Sequence, residues 1–595
     1  MCALSLKEVA MSRTISWIFV LLVVAAFLGA PAAYGQVAMN CTASVPVQAS
    51  IRAEGLTELV GDIIITCTGG TPVASGPYPT ITLNIYMSAL VTSRVLVSAT
   101  PPLLETLLLI DDPAPASQVP CVAATCNNTD NVHQGRLPQF NSVSFSGIPI
   151  NPPGPNAQRT VRVKNLRVNA SLQPTGSQVI ASLILTGTNV NPLNSAQQVV
   201  ANVRQALSME MRSITDTTLA SALTLVACTG NNIDLANNSS AAYGTPGGRT
   251  FHLRFSEASG FPDAWRRRNV ATSLANPGNL GAQESPSLTY TTETGFYNPN
   301  FADTNGLRRA GLADQGTRLR AVFSSIPNNI KVFVTTREVT PGTTVSGTNP
   351  TVRAVLTGTG SFSPMAPESQ ADGGLKLVQA GQEIVWEILD TDVAQVETVS
   401  FGVVLAYTGS PQPGAGTATV VGGFGPQSIS PGATFADPIP RFNVPMAAVN
   451  VFTMNACRTS LLFQFVTNQA GFDTGVAVTN TSKDTLGTLA QTGRCIATFF
   501  PTPVGNQSQY PVLNSPSVIN AGEQWVFSIS NSRPGFQGYM MVGCDFQFAH
   551  GYAFISDFGA QKLAQGYQAL VIPDRPRVAD PVTTAGAGSG EQLIH

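Results

Sequence analysis

Along most of this chain apolar and polar residues alternate with period two, in short runs separated by Gly, Pro, Asn and Ser. Thr160-Val-Arg-Val-Lys-Asn-Leu-Arg-Val-Asn169 is one such run and Thr80-Ile-Thr-Leu-Asn-Ile-Tyr86 another. Alternation of this kind gives each face of a strand its own set of side chains, so these runs read as half-buried β-strands. Asp62–Cys67 and Gln178–Leu185 are β-branched runs bounded by turn residues. Arg318–Phe323 and Ile330–Thr335 join across Pro327-Asn-Asn329. Further on, Ile384, Trp386 and Ile388 share one strand face while Glu383 and Glu387 share the other. Val399, Phe401, Val403, Leu405 and Tyr407 make a further apolar face. No helical periodicity competes, and the pattern predicts an all-β protein of three tandem β-sandwich-like domains.

The boundaries follow from breaks in that pattern. Arg13 precedes the apolar run Trp17–Ala30, and Ala33-Tyr34-Gly35 offers a small-residue cleavage site. Residues 1–35 therefore read as a secretory signal, with Met11 a plausible start and cleavage before Gln36. An uncleaved anchor is the other reading, but the run is shorter than the ~20 residues a spanning helix needs. The chain then divides into an N-terminal β domain over 36–240, a middle β-sandwich over 241–445 and a C-terminal β-sandwich over 446–573. A disordered tail follows over 574–595. Asn231–Gly248, rich in Asn and Gly, is the expected linker, and Ala258–Gln315 a long loop insertion in the middle domain.

The last two domains align with each other. Gln379-Ala-Gly-Gln-Glu-Ile-Val-Trp-Glu-Ile388 matches Asn520-Ala-Gly-Glu-Gln-Trp-Val-Phe-Ser-Ile529, with Ala380 and Ala521 lying 141 residues apart. A similar offset brings Leu319–Phe323 onto Leu461–Phe465 and Val332–Thr335 near Val476–Thr479. The expectation is a diverged duplication, although shared β composition imitates part of such a match.

Composition narrows the function. Apolar residues make up 43% of the chain, enough for packed cores, while charged residues make up only 11%, against about 25% in an average soluble domain. The net charge of −2, with no long basic run, gives a nucleic-acid partner no electrostatic support. Export alters the meaning of the cysteines. Cys2 leaves with the signal, and Cys41, Cys67, Cys121, Cys126, Cys228, Cys457, Cys495 and Cys544 remain. An even count in an oxidising compartment favours disulfides, and no Cys-x-x-Cys pair suggests zinc. Spacing ranks Cys41 with Cys67, Cys121 with Cys126, and Cys495 with Cys544. Cys228 and Cys457 are then either paired across domains or free.

Catalytic motifs are sparse. Phe472-Asp-Thr-Gly475 matches half of an aspartic-protease pair, but no second Asp-Thr-Gly occurs to share the proton. Asp557-Phe-Gly559 lacks the Gly-rich and catalytic loops of a kinase. His550 follows a strand predicted at Cys544–Ala549, with Asp545 and Asp557 as nominal partners. Asp390-Thr-Asp392 and Asn298–Asn305 carry oxygen ligands at short spacing without the glycine and distal glutamate of a calcium loop. Trp265-Arg266-Arg267-Arg268 is the basic cluster of the chain. It reads either as a solvated turn packed on its tryptophan or as a glycan contact in which Trp265 stacks on a sugar ring. Asn-x-Ser/Thr sequons, Asn127, Asn169, Asn480 and Asn506 among them, are expected in so Asn-rich a chain.

Gly471-Phe-Asp-Thr-Gly475 and Phe548-Ala-His-Gly-Tyr-Ala-Phe-Ile-Ser-Asp557 resemble a group of secreted bacterial proteins with a Cys-containing C-terminal β-module. No activity is assigned to that group. The resemblance implies export and a bacterial source, covers the C-terminal domain and extends toward the middle one, and transfers no catalytic residue.

The sequence thus predicts a structural or adhesive protein at the cell surface, in the extracellular space or in the periplasm. No enzymatic activity, cofactor or metal is expected, and no transmembrane segment after signal removal. Cell-surface polysaccharide or further copies of the chain are the expected partners. A carbohydrate-binding protein would need aromatics in a row on one sheet face. A hydrolase would need two carboxylates, or His550 and a partner, converging in a cleft.

Overall fold

The computed structural model describes residues 37–572 except 123–124, 216, 220, 228–248, 269–282, 284, 290, 340–352, 359–373, 408–412, 444, 487, 489 and 501–509. The expected signal, the linker, the tail and Cys228 lie outside the described residues. What is described is almost wholly strand and turn, as the alternation predicts. No helix among these residues is long and apolar enough to cross a membrane.

The chain forms two compact units, and they do not follow the sequence in order. The first unit takes the residues up to Gln205 and adds Asn269–Ala313 and Ile429–Ile439 from later in the chain. Its main sheet runs, edge to edge, Met39–Ser44, Ile63–Gly69, Gly154–Lys164, Leu103–Ile110, Val132–Gln139, Ser142–Pro149, Thr80–Met87, Gln178–Gly187, Gln197–Arg204 and Ala49–Arg52. The sheet curls back on itself: backbone bonds join Met39 to Asn189 and Asn191, and Cys41 and Ala43 to Asn194, beyond the strand Gln178–Gly187. Inside the curl lies a core of Ile, Val and Leu side chains that includes Ile65, Leu83, Ile85 and Val163.

Leu103-Leu-Glu-Thr-Leu-Leu-Leu-Ile110 is buried on both of its faces. Leu104 and Leu108 point into the main core, whereas Leu107 and Leu109 pack outward against Phe296, Phe301 and Ala310. The long insertion in the middle of the sequence is thus the outer cover of a first-unit strand. It also supplies charge. Glu293 grips Arg52 through both guanidinium nitrogens, at 2.6 and 3.0 Å, and Glu58 takes the Arg52 Nε at 2.9 Å. Arg167 donates to the Glu105 carboxylate at 3.1 Å and to the Glu293 carbonyl at 2.7 Å. All five side chains are buried. Burial alone would pull the Arg52 pKa down; Glu293 and Glu58 more than reverse that and hold it above its ordinary value.

The second unit holds two further cores. In the middle of the sequence, a five-stranded sheet (Leu207–Arg212, Phe251–Glu257, Thr398–Ala406, Lys331–Thr335, Leu375–Val378) and a six-stranded sheet share one apolar interior. Arg318–Ser324, Glu383–Asp390 and Gly416–Gly425 belong to the six-stranded sheet. Ile384, Trp386 and Ile388 point inward, and Trp386 stacks on Phe401 with ring centroids 4.0 Å apart. On the other face Glu387 and Glu383 pair with Arg318 and Arg320.

The C-terminal module sets a five-stranded sheet (Leu513–Asn514, Cys495–Phe500, Gln537–Cys544, Thr459–Thr467, Leu570–Ile572) beside a four-stranded one. The latter runs Gln524–Ser528, Asp473–Asn480, Ala549–Ser556, Ala564–Gln568. A core including Phe463, Val478, Phe499 and Val542 lies between them.

Three disulfides form as spacing ranked them: Cys41–Cys67, Cys121–Cys126 and Cys495–Cys544. The first and third join residues directly opposite in antiparallel register, where side chains already meet. Cys457 is also disulfide-bonded. The duplication is not mirrored in strand pairing. Arg318–Ser324 pairs with Glu383–Asp390, but its sequence match Thr459–Thr467 pairs with Gln537–Cys544 instead. Gln524–Ser528, the match of Glu383–Asp390, pairs with Asp473–Asn480 in the other sheet.

Candidate binding surface

The structure disperses the residues that the sequence offered as chemistry. Trp265 is fully buried in the middle core and its backbone N–H donates to Glu257 at 2.8 Å, so it presents no face to a sugar. Arg266 is buried against Asp263, and Arg267 lies 3.6 Å from Asp390. The basic cluster is therefore the turn packed on its tryptophan, and the glycan contact expected there is corrected. Asp473 sits in a strand, its carboxylate accepting from the backbone N–H of Thr474 and Ser530 and from the Ser530 hydroxyl. Asp557 spends its carboxylate on the N–H groups of Gly559, Gln561 and Leu563. The predicted strand ending at Ala549 is also corrected: the chain turns through Asp545–Phe548, and His550 lies within a new strand, Ala549–Ser556.

The oxygen ligands at calcium-like spacing are used inside their own turns. Asp392 accepts from Ala394 N–H and Gln395, and Asp303 from Leu307 N–H. Cys121, Cys126 and His133 form the one cluster of metal-ligand types among the described residues, and both sulfurs are in a disulfide. Burial pushes His133 down to about 4, so at neutral pH it is an uncharged neighbour of that bridge. A concavity of about 540 Å³ in the first unit, lined by Met87, Phe140, Asn141, Leu172 and others, holds no ionisable side chain. It provides shape without acid–base chemistry.

What the structure does assemble is a surface on the outer face of the four-stranded C-terminal sheet. Trp525, Val476, Val478 and Ala553 point into the core, which turns the alternate positions outward. Val526, Ala477, Tyr552 and Gln568 stand in one row across the strands. Ser528, Gly475, Phe554 and Gly566 make the next row, and Gln524, Thr479 and His550 a third. Tyr552 and Phe554 are 47% and 46% exposed and Val526 67%, far more than strand aromatics and valines need be. Being two residues apart on one strand face, Tyr552 and Phe554 are spaced about 7 Å.

The Tyr552 ring reaches over Gly566: a Cβ there would lie 1.7 Å from the tyrosine oxygen. Tyr552 thereby lies along the sheet rather than standing off it. None of the four strands contains Lys, Arg or Glu. The edge strand Ala564–Gln568 is riveted by Tyr567, whose hydroxyl donates to the Phe465 carbonyl at 2.5 Å across to the other sheet. The sequence reading placed His550 after a strand, and so did not show which parity of Ala549–Ser556 faces solvent. The clue was Gly566, a residue that leaves room for a ring.

No protein-family model matches the chain, and no curated protein matches its sequence. Among solved structures it is similar to the C-terminal domain of the AgI/II polypeptide BspA of Streptococcus agalactiae, at 9% identity and a TM-score of 0.23. That overlap covers 69% of this chain and 100% of the other. It is similar to the T6 backbone pilin of Streptococcus pyogenes at 7% identity and a TM-score of 0.21, over 89% of this chain and 79% of that one. The CupB6 tip adhesin of Pseudomonas aeruginosa overlaps 71% of this chain and all of its own, at 10% identity and a TM-score of 0.14. TM-scores this low carry no argument about function.

Proposed function

We propose that this chain is an extracellular or cell-surface protein of bacterial origin that works through its surfaces, as a structural or adhesive component, rather than by catalysis. The observation that carries the reading is the uncharged outer face of the C-terminal sheet, with Val526, Tyr552 and Phe554 turned to solvent at no benefit to the core. Exposed apolar patches of this kind mark contact sites in soluble proteins. Disulfides support an oxidising compartment. Asp303, Asp392, Asp473 and Asp557 are engaged by nearby backbone N–H groups, and His550 stands exposed on the sheet face.

The test is retention of the purified chain from Gln36 on sedimented bacterial cell envelopes, beside a β-sandwich protein of similar size and charge. Saturable retention that the control lacks is expected. Retention no greater than the control's would sink the adhesive reading.

A further inference from the structure

We propose that the outer face of the four-stranded C-terminal sheet is a binding site for neutral sugar rings, with Tyr552 and Phe554 as the stacking platform. The proposal deepens the adhesive reading and rests on it. A pyranose ring has an apolar face of axial C–H groups and a rim of hydroxyls. It needs a flat aromatic surface under the ring and uncharged donors and acceptors around it. Aromatic faces are electron-rich and attract the weakly positive C–H groups, while the hydroxyls seek hydrogen bonds at the edge.

This sheet face meets both needs. Tyr552 lies along the sheet because Gly566, diagonally across from it and directly opposite Phe554, has no side chain. Beside Phe554, Gly475 and Gly566 put no side chain on either neighbouring strand, and the Tyr552 ring fills the space over Gly566. Around the pair stand Gln524, Gln568, Thr479 and His550, whose polar groups make no hydrogen bond within the described chain. Amide, hydroxyl and imidazole side chains can each both give to and accept from sugar hydroxyls.

Charge selects among sugars. No Lys or Arg lies on these strands, so uronic acids, sialic acids and phosphorylated sugars stacked on Tyr552 and Phe554 find no counter-charge within them; Lys483 packs at Gly522, beyond Gln524. Asp473 at the rim, already engaged by Ser530 and Thr474, would repel anions further. The occupant is a neutral polysaccharide or the neutral part of a glycan. Occupation of two rings about 7 Å apart favours a chain over a single residue.

The experiment is co-sedimentation of the full chain with insoluble cellulose, chitin, starch granules and yeast β-glucan, with calcium alginate gel as the anionic comparison. Variants are Tyr552→Ala, Phe554→Ala and Gly566→Val. The last touches no aromatic residue and sits on an exposed edge strand where valine is well tolerated, but its side chain lifts the Tyr552 ring. Thermal melts check that each variant folds, and Phe554→Tyr serves as the conservative variant. The expected result is retention of the wild type on at least one neutral polysaccharide and not on alginate. All three disruptive variants should lose it by at least tenfold, with Phe554→Tyr retaining it.

Lack of retention on every neutral polysaccharide, or retention of Gly566→Val and Tyr552→Ala at the wild-type level, overturns the proposal. So does a self-association in sedimentation velocity that Tyr552→Ala abolishes, because the face then binds a second copy. If envelope retention persists while polysaccharide retention is absent, the sugar site falls and the adhesive reading stands. If both are absent, both fall.

Discussion

Glu257 carries an acid–base consequence that its surroundings make explicit. Its carboxylate accepts from the N–H groups of Trp265 and Glu397, and the residue is buried. Burial raises its pKa to about 8 despite those two donors, and the charges of Glu397 and Asp263 add to the rise. In the unfolded chain the group ionises near its ordinary value of 4.5. The folded state therefore holds the proton over a range in which the unfolded state has lost it. By linkage, stability is highest below that range and falls as pH rises toward 8. Denaturation midpoints measured from pH 5 to 8.5 should decline for the wild type and flatten for Glu257→Gln. A wild-type stability that rises across the window contradicts the assignment. None of this was legible in Phe251–Glu257, whose last residue reads as an ordinary strand-end glutamate. A buried carboxyl betrays itself only when its neighbours in space are known. The same holds for Trp265, where a run of three arginines suggested a surface and the tryptophan beneath them made a core.

At the scale of elements, alternation was a reliable guide. Thr80–Met87 and Gln178–Gly187 lie where their β-branched runs placed them, each buried at alternate positions. The apparent repeat is not mirrored in the pairing of the strands compared. Ala380-Gly381 and Ala521-Gly522 are both turns in which glycine takes positive φ, +78° and +87°. Turn chemistry followed by a strand recurs wherever a hairpin needs a left-handed residue, so the match reports a shared turn and not a shared pairing. The disulfides differ in what they hold. Cys121–Cys126 spans 5 residues, Cys41–Cys67 spans 26 and Cys495–Cys544 spans 49. Loop-closure entropy rises with the span, from about 2 kcal/mol for the shortest to about 4 for the longest. Replacing each pair by alanine should lower denaturant stability in that order, with Cys121→Ala/Cys126→Ala the mildest. The reverse order would mean that native contacts, not unfolded-chain entropy, set their worth.

For the whole molecule, the division into blocks along the sequence is the part that local pattern could not supply. Leu103–Ile110 did hold a sign: apolar residues on both parities require covers on both sides. Which segment provides the outer cover depends on contacts nearly two hundred residues away, as from Leu109 to Phe296. The fragment 36–240 would consequently lack Glu293, Phe296, Phe301 and Ala310. Arg52 would keep Glu58 but lose Glu293, and breaking a buried ion pair on one side costs about 3–5 kcal/mol, a large part of a domain's stability of about 5–15 kcal/mol. That fragment should show weak near-ultraviolet dichroism and bind a hydrophobic dye, whereas 36–595 should not. A cooperatively melting 36–240 fragment would mean that the later segments are dispensable.

The same interleaving sets a timetable. The first unit is completed by Ile429–Ile439, where the Thr434 carbonyl accepts from Val95 and Arg308 reaches the Phe435 and Ala436 carbonyls. A chain threaded through an export channel from its N-terminus cannot close this unit until residue 439 has emerged. Long-range closure of this kind slows folding, and for a translocated polypeptide delay is useful. On the proposed extracellular reading, the leading segment would stay slack enough to keep moving and would lock only when most of the chain is outside.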